Sequence, residues 1–352
     1  FGLFNEKISG TVEAYWNTAK DLLIERSIVA PGYTTTMENT AETSNKGLEI
    51  SLNAFILEKK NYSLSANFNI GFNKSKVEKL ANGLSEMAFS SGWASTDNKG
   101  YNDYLVKVGQ PVGLMVGWVT DGYYTTNDFS SYDENSKKYI LKDGVPTTGL
   151  LGGKAGIRPG TIKFKDISGP NGKPDGVIDD YDRTVIGKAS PKFTGGFGLN
   201  GTFYGFDASL MFSFVYGNDI YNANKIEFTS NNNNYKYRNM ITDMALGNRW
   251  TNIDWQTGAV ITDKAALTAA NANTSLWSPY NQFVFHSWAV EDGSFLRMNN
   301  LTVGYSLPKE WIKKVFMQQC RVYFTATNLF CITSYSGFDP EVDTRTKTPL
   351  TP

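Results

Sequence analysis

The chain has very little of what most chemistry requires. In 352 residues there is one histidine, His286, and there are only two cysteines. A Ser-His-Asp arrangement or a His-based zinc site has almost no raw material, which points away from an enzyme. Cys320 and Cys331 lie eleven residues apart on one predicted strand. At about 3.3 Å per residue they are roughly 36 Å apart, far beyond the ~7 Å reach of a disulfide, so both are expected to be free thiols. Net charge is absent too, with 34 basic against 34 acidic residues. That balance argues against nucleic acid as a ligand, because phosphate contacts need a basic surface. No apolar run approaches the ~18 residues of a membrane helix, and the mean hydropathy is −0.34.

What the chain does have is alternation. Tyr62, Leu64, Ala66, Phe68, Ile70 and Phe72 share one side of a period-two strand, with Ser63, Ser65, Asn67, Asn69 and Gly71 on the other. The pattern returns in Phe193, Phe197, Leu199 and Phe203, turns at Tyr204-Gly205, and resumes in Phe206, Ala208, Leu210, Phe212, Phe214 and Tyr216. In the Tyr62 strand the polar side is small and uncharged, while Asp207, Ser209, Met211, Ser213 and Val215 form the other side of the last one. Such a face suits either a solvated sheet surface or the wall of an aqueous lumen.

Strands of ten or so residues ending in aromatics match a transmembrane β-barrel wall, whose half-polar strands escape hydropathy scans. Nineteen Tyr and 22 Phe fit an aromatic girdle, and 33 Gly fit lumen walls and loops. A large soluble all-β protein shares this composition.

About seven strands are expected, near residues 8–20, 47–56, 62–72, 193–203, 206–216, 294–307 and 320–332. The intervening links run long (25–46), short (57–61), very long (77–192), short (204–205), long (217–293) and short (308–319). Nothing in a soluble sandwich ties loop length to one end of the sheet. An outer-membrane barrel does so, with short periplasmic turns and long extracellular loops. The alternation therefore favours a barrel. In the last short link, Pro308 followed by Lys309, Glu310 and Trp311 reads as one helical turn.

Seven strands cannot close, since an open edge would leave backbone groups unpaired in lipid. We therefore expect the chain to be a portion of a longer barrel, with at least one more descending strand after it.

Several stretches carry a specific resemblance. Residues 10–23 (GTVEAYWNTAKDLL), 45–50 (NKGLEI), 109–113 (GQPVG), 180–187 (DYDRTVIG), 293–305 (GSFLRMNNLTVGY) and 326–330 (ATNLF) resemble, in order, SusC/RagA-type TonB-dependent outer-membrane transporters. The resemblance spans almost the whole chain. It implies an all-β fold, a transmembrane antiparallel β-barrel of 22 strands, of which this chain would supply about the fifteenth to the twenty-first. It also implies active import of oligomers, usually glycans and sometimes peptides, with a SusD-like surface lipoprotein as lid and the TonB complex acting through an N-terminal plug. Neither the plug nor a TonB-contacting segment has a counterpart in this sequence. A passive porin-like channel, or a soluble glycan-binding β protein, remains open on the residues alone.

The long loops hold the candidate binding residues. Trp93, Trp118, Tyr123, Tyr124, Trp250 and Trp255, with Trp277, are interleaved with Asn and Asp. Flat aromatic faces stack on the apolar faces of sugar rings, although the same residues could pack the loops against one another. Residues 166–182 are Asp-rich, and Asp175-Gly176, Ile178, Asp179 and Asp182 resemble the second half of a calcium loop. Lys173 stands where an oxygen ligand belongs, and Asp166 could replace it only if the Gly-Pro segment folds back. Calcium there is one reading and an ordinary turn is the other; no cofactor is required. Gly196, Gly198 and Gly201 formally match the dinucleotide GxGxxG, but they sit inside an alternating strand and not at a strand-to-helix turn. A lone His286 among aromatics reads as a girdle or loop residue.

Overall fold

The computed structural model describes residues 1–90, 102–151, 156–231, 239–279 and 284–341. Seven long strands follow one another in sequence: β1 (Ile8–Ala30), β2 (Tyr33–Lys59), β3 (Tyr62–Lys79), β4 (Phe193–Phe203), β5 (Phe206–Tyr216), β6 (Phe295–Ser306) and β7 (Arg321–Thr333). Each pairs antiparallel with its neighbour, forming a single meander, and the two-residue strand Gly2–Leu3 pairs on the free edge of β1. The ladder pairs most interior backbone groups from within the sheet, as a lipid environment demands.

Register carries the alternating pattern from strand to strand. Val12 faces Ile50, Ile50 faces Ile70, Phe68 faces Phe197, and Phe197 faces Phe212, so one side is continuously apolar. Phe68 and Leu199 remain 36 % and 37 % exposed, and Phe212 stacks on Phe197 at 4.6 Å between ring centres. No second layer covers these side chains among the described residues, so this face is the perimeter that lipid wets. Aromatic contacts concentrate at its two ends. Phe206 on Tyr305 (4.4 Å) and Phe203 on Tyr204 (4.9 Å) mark one end; Phe193 on Tyr216 (4.9 Å) and Phe72 on Phe193 (5.8 Å) mark the other. Ten residues at ~3.3 Å separate Phe203 from Phe193, and a tilt of ~40° turns that into an apolar band of about 25 Å, the height of a barrel's membrane belt.

The opposite face is a ladder of hydroxyls and amides. Ser63 bonds Thr202 (2.7 Å), Ser209 donates to Asn200 (2.7 Å), and Thr302 bonds Thr325 (3.0 Å). Gly196 and Gly198 lie on this side, whereas Gly201 pairs with Leu64 and Ala208 on the lipid side.

The described strands depart from the expected ones in three places. The link expected over 25–46 is not a long loop: β1 and β2 pair out to Ala30 and Tyr33 and turn at Pro31-Gly32, where Gly32 has φ +80°. The outer part of β2 is Thr-rich, and in β1 Leu22, Leu23 and Ile24 follow one another past a register shift at Asp21 (φ +56°), so the segment carries strand propensity without the amphipathic alternation that marks a half-buried strand. β3 likewise runs past Phe72 to Lys79. In β6 an extra residue at Asn299 shifts the register against β5, and brings Met298 and Leu296 opposite Phe212 and Phe214 on the apolar face. The helical turn α3 (Lys309–Ile312) stands where expected; α1 (Ala223–Glu227) and α2 (Lys264–Ala270) are in the second long loop. No helix among the described residues is long and apolar enough to cross a membrane.

The two remaining long connections fold together. The first builds a four-stranded sheet from Glu86–Phe89, Tyr104–Lys107, Leu114–Gly117 and Thr184–Lys188. Its Trp118 and Phe164 share one apolar core with Met244, Leu276, Trp277 and Val284 of the second. Backbone bonds stitch the seam, Trp118 N–H donating to Phe285 (3.3 Å) and Ser287 N–H to Trp118 (2.9 Å). Gly117 allows this approach, since a Cβ there would lie 2.6 Å from the Phe285 carbonyl.

Candidate functional site

The predicted aromatic residues divide sharply by burial. Trp118 is 1 % exposed and Tyr124 and Trp250 are also core residues. Their polar ends are satisfied internally: Trp118 Nε1 donates to the Asp179 carbonyl (2.7 Å), Tyr124 to Pro146 (2.7 Å) and Trp250 to the Asn252 side chain (2.8 Å). Tyr123, half-buried, packs on Trp250 at 5.3 Å and bonds Thr274. These four, with Trp277, hold the loops together and present no free ring face of the kind a sugar needs. Trp93 lies outside the described residues. Trp255, 70 % exposed, is open.

Among the described residues, several cavities open on this extracellular lobe. Trp255 borders one of about 760 Å³ together with Thr251, Asp254 and Gln256. A second, about 600 Å³, is lined by Tyr132, Tyr139 and Arg158 and shares Val260 and Ile261 with the first. The third, about 520 Å³, lies where the second loop meets the segment after β7, lined by Asn222, Asn224, Lys225, Phe228, Ser336 and Phe338. These sizes lie in the range of small-ligand sites.

The third cavity has the most elaborate polar construction and was not anticipated from sequence. Phe338 stands 83 % exposed at its edge. The Oδ1 atoms of Asn222 and Asn224 are buried without a hydrogen-bond partner among the described residues, while Asn222 Nδ2 donates to Ser336 (3.3 Å). Lys225 pairs with Glu291 at 2.7 Å, both largely buried, and lies 3.9 Å from the Trp288 ring centre. Burial raises the Glu291 carboxyl, but the hydrogen bonds from Lys225 and from Ser336 outweigh it and hold the pKa below the usual range. Amide and hydroxyl side chains beside an exposed ring suit a ligand that offers hydrogen-bonding groups and one apolar face. The only sequence signal was the Asn-rich run around Asn222, which reads equally as an ordinary turn.

His286 sits beneath this region, 4 % exposed, its ring 5.4 Å from Phe164 and 5.3 Å from Trp277. Nδ1 lies 2.9 Å from Thr120 Oγ1. Burial, reinforced by the nearby charge of Lys225, lowers its pKa from 6.5 to about 3. A histidine held neutral in an aromatic core packs the loops and exchanges no proton at ordinary pH.

In the Asp-rich segment the carboxylates are occupied by backbone donors. Fully buried Asp182 accepts from Ile167 (2.7 Å), Ser168 (3.1 Å) and Asp179 (2.8 Å). Asp166 accepts from Asp175 and Gly176, Asp175 from Val177, and Asp179 from Tyr181, capping a short helical turn. No group of three or more potential ligand side chains is arranged around a metal position among the described residues. Converging N–H dipoles favour the carboxylates themselves and oppose a cation, so the residues as arranged do not fit calcium.

The fold places the chain in the class of outer-membrane β-barrel proteins: a lipid-wetted aromatic face, a polar lumen face and a folded extracellular lobe. No family profile matches the chain. The chain is 28 % identical over 345 residues to TonB-dependent receptor P3 of Formosa agariphila, covering 97 % of this chain and 30 % of that protein. It is 25 % identical over 354 residues to the TonB-dependent receptor SusC of Bacteroides thetaiotaomicron, covering 97 % and 28 %. Among solved structures, the RagAB peptide transporter superposes with a TM-score of 0.65 at 21 % identity, over 97 % of this chain and 31 % of that one. The RagAB peptide importer in its 'open-open' state gives 0.63. The chain is homologous to TonB-dependent receptors of the SusC/RagA type, and it spans about a third of the length of the relatives it matches.

Proposed function

We propose that the chain is the C-terminal part of the barrel of an active importer that takes oligomeric nutrients across the outer membrane. A SusD-like lipoprotein would close over the extracellular lobe, and the TonB complex would supply energy through a plug carried elsewhere in the protein. The observation that carries this reading is the lumen face, where Ser, Thr, Asn and Gly positions predominate from β3 to β6 and the Asp207 and Arg321 charges neutralise each other, a lining suited to polar oligomers. Its role is passage, not catalysis.

Glycan oligosaccharides are the substrate class we favour. Trp255 offers an open ring face beside the Asp254, Gln256 and Thr251 side chains, the pairing by which sugars are held: stacking on one side, hydrogen bonds at the rim. Peptide is the second reading, supported by the fold shared with RagAB and by the buried Asn222 and Asn224 acceptors, which suit peptide N–H groups.

Growth of a strain lacking the transporter across a panel of polysaccharides and peptides tests the class. The deletion should abolish growth on one glycan, and W255A in the complemented strain should reduce uptake of its labelled oligosaccharides while W255F restores most of it. Growth unimpaired on every glycan but lost on peptides would overturn the glycan reading. Full uptake after removal of the plug would overturn active import in favour of a passive channel.

A further inference from the structure

At the outer end of the apolar face, the row that should hold another ring of girdle residues holds lysines. Trp16, Lys46 and Lys74 stand directly opposite one another across β1, β2 and β3. Lys46 and Lys74 are one step outward from Leu48 and Phe72 on the same side of the sheet. Lys192, at the entry to β4, and Lys188 complete the group, and all four are exposed. They line a cleft of about 480 Å³ whose floor includes Leu48 and Phe72 and whose rim adds Asn73 and Ser75.

Like charges directly opposite on one face of a sheet destabilise it, yet none of these lysines has a carboxylate partner among the described residues. Lys46 Nζ lies over the Trp16 ring at 3.8 Å and Lys192 Nζ over Tyr216 at 5.5 Å, contacts that leave each positive charge without a counter-anion. Of the carboxylates nearby, Glu78 is taken by Lys76 (2.7 Å) and Ser44 (2.6 Å), and Asp219 accepts from the Lys188 backbone N–H (2.8 Å). An amphipathic cleft with four unpaired cations sits at the level where aromatic rings meet the headgroups.

We propose that this cleft binds the phosphate-bearing headgroup of an outer-leaflet lipid, with Lys46, Lys74 and Lys192 on the phosphate and the acyl chains running down over Leu48 and Phe72. Phosphate neutralises the facing lysines, and the apolar floor separates a lipid from a free anion. Each basic residue near a membrane surface adds measurably to binding of an anionic lipid, so losing three should weaken it on the order of tenfold or more.

Native mass spectrometry of the full-length transporter in detergent tests this, with lipid A, inorganic phosphate and phosphatidylcholine as separate probes. The expected result is a lipid A adduct on the native protein, reduced at least about tenfold in K46Q/K74Q/K192Q, retained in K46R/K74R/K192R, and no comparable adduct with the other two probes. K137Q/K138Q/K142Q, on an exposed loop, should bind like the native protein. Equal lipid A binding by the native and glutamine variants would overturn the proposal. So would equal occupancy by inorganic phosphate, which would mark a free-anion site, or by phosphatidylcholine, which would mark a general lipid surface. If the glutamine variant fails to assemble, as judged by heat-modifiable gel mobility, the three single variants replace it, and unchanged lipid A binding in all three overturns the proposal.

Discussion

Arg321, on the last strand, reaches across Gly304 to grip the carboxylate of Asp207 two strands away, with Nε at 2.9 Å from Oδ1 and Nη2 on Oδ2. The crossing needs a glycine in between, because a Cβ on Gly304 would lie 2.6 Å from the guanidinium. Thus one bidentate pair clamps β5, β6 and β7 on the lumen side.

D207N and G304A should each lower the thermal stability of the barrel only slightly, since the pair is a third exposed to lumen water and screened by it. Both act on the same contact, so the double variant should be no worse than the poorer single one. The temperature at which the heat-modifiable gel band is lost reads this out. Additive losses would show that Gly304 serves something other than Arg321.

Trp118 joins the two long loops from the centre of their shared core. W118A should cost the lobe about 3–5 kcal/mol through the cavity it leaves. G117A should cost about 1–3 kcal/mol by forcing the Phe285 strand away. Hydrogen exchange on the full-length protein should show faster exchange in residues 114–118 and 284–288 in both variants, with the β3 to β5 ladder unchanged.

His286 makes the lobe sensitive to acid. Its folded pKa, about 3, is depressed below the unfolded value near 6.5, so between these values the unfolded state binds the extra proton. Stability is then full above pH 6.5 and falls as pH drops, by up to about 1.4 kcal/mol per pH unit. Glu291, depressed by Lys225 and Ser336, adds a loss in the same direction below its own unfolded range near 4.5. Protease susceptibility of the loops should rise between pH 6.5 and 5 in the native protein, and much less in H286F. An equal rise in both would remove His286 as the cause.

Asp182 organises the Asp-rich segment by accepting three backbone N–H groups. D182A should leave those donors unpaired and destabilise the segment by about 2–3 kcal/mol. Calorimetric titration of the full-length protein with calcium should give no heat from this segment, so native protein and D182A should titrate alike. A binding isotherm present in the native protein and lost in D182A would restore the metal reading.

Alternation between Tyr62 and Tyr216 was enough to assign strands, faces and the short turns, because side chains in a strand alternate strictly and only one of the two faces meets lipid. The chemistry of the loops was far less legible. Trp118, Tyr124, Trp250 and Trp255 look alike in sequence, each an aromatic among polar neighbours, and nothing local separates a core ring from an exposed one. The outer half of the β1 and β2 hairpin escaped as well, because Leu22, Leu23 and Ile24 are consecutive and a register shift at Asp21 breaks the period of two.

From its residues alone this chain is determined to be a set of two-faced strands joined by short and long links: period-two alternation is a local property, written between neighbours along the backbone and indifferent to what lies far away. Tertiary structure decided which rings are buried, that Asn222 and Asn224 line a cavity beside Phe338, and that Lys46 and Lys74 meet face to face. Those outcomes depend on segments more than a hundred residues apart coming together, or on the register between strands, and burial belongs to the assembled pair and not to either partner.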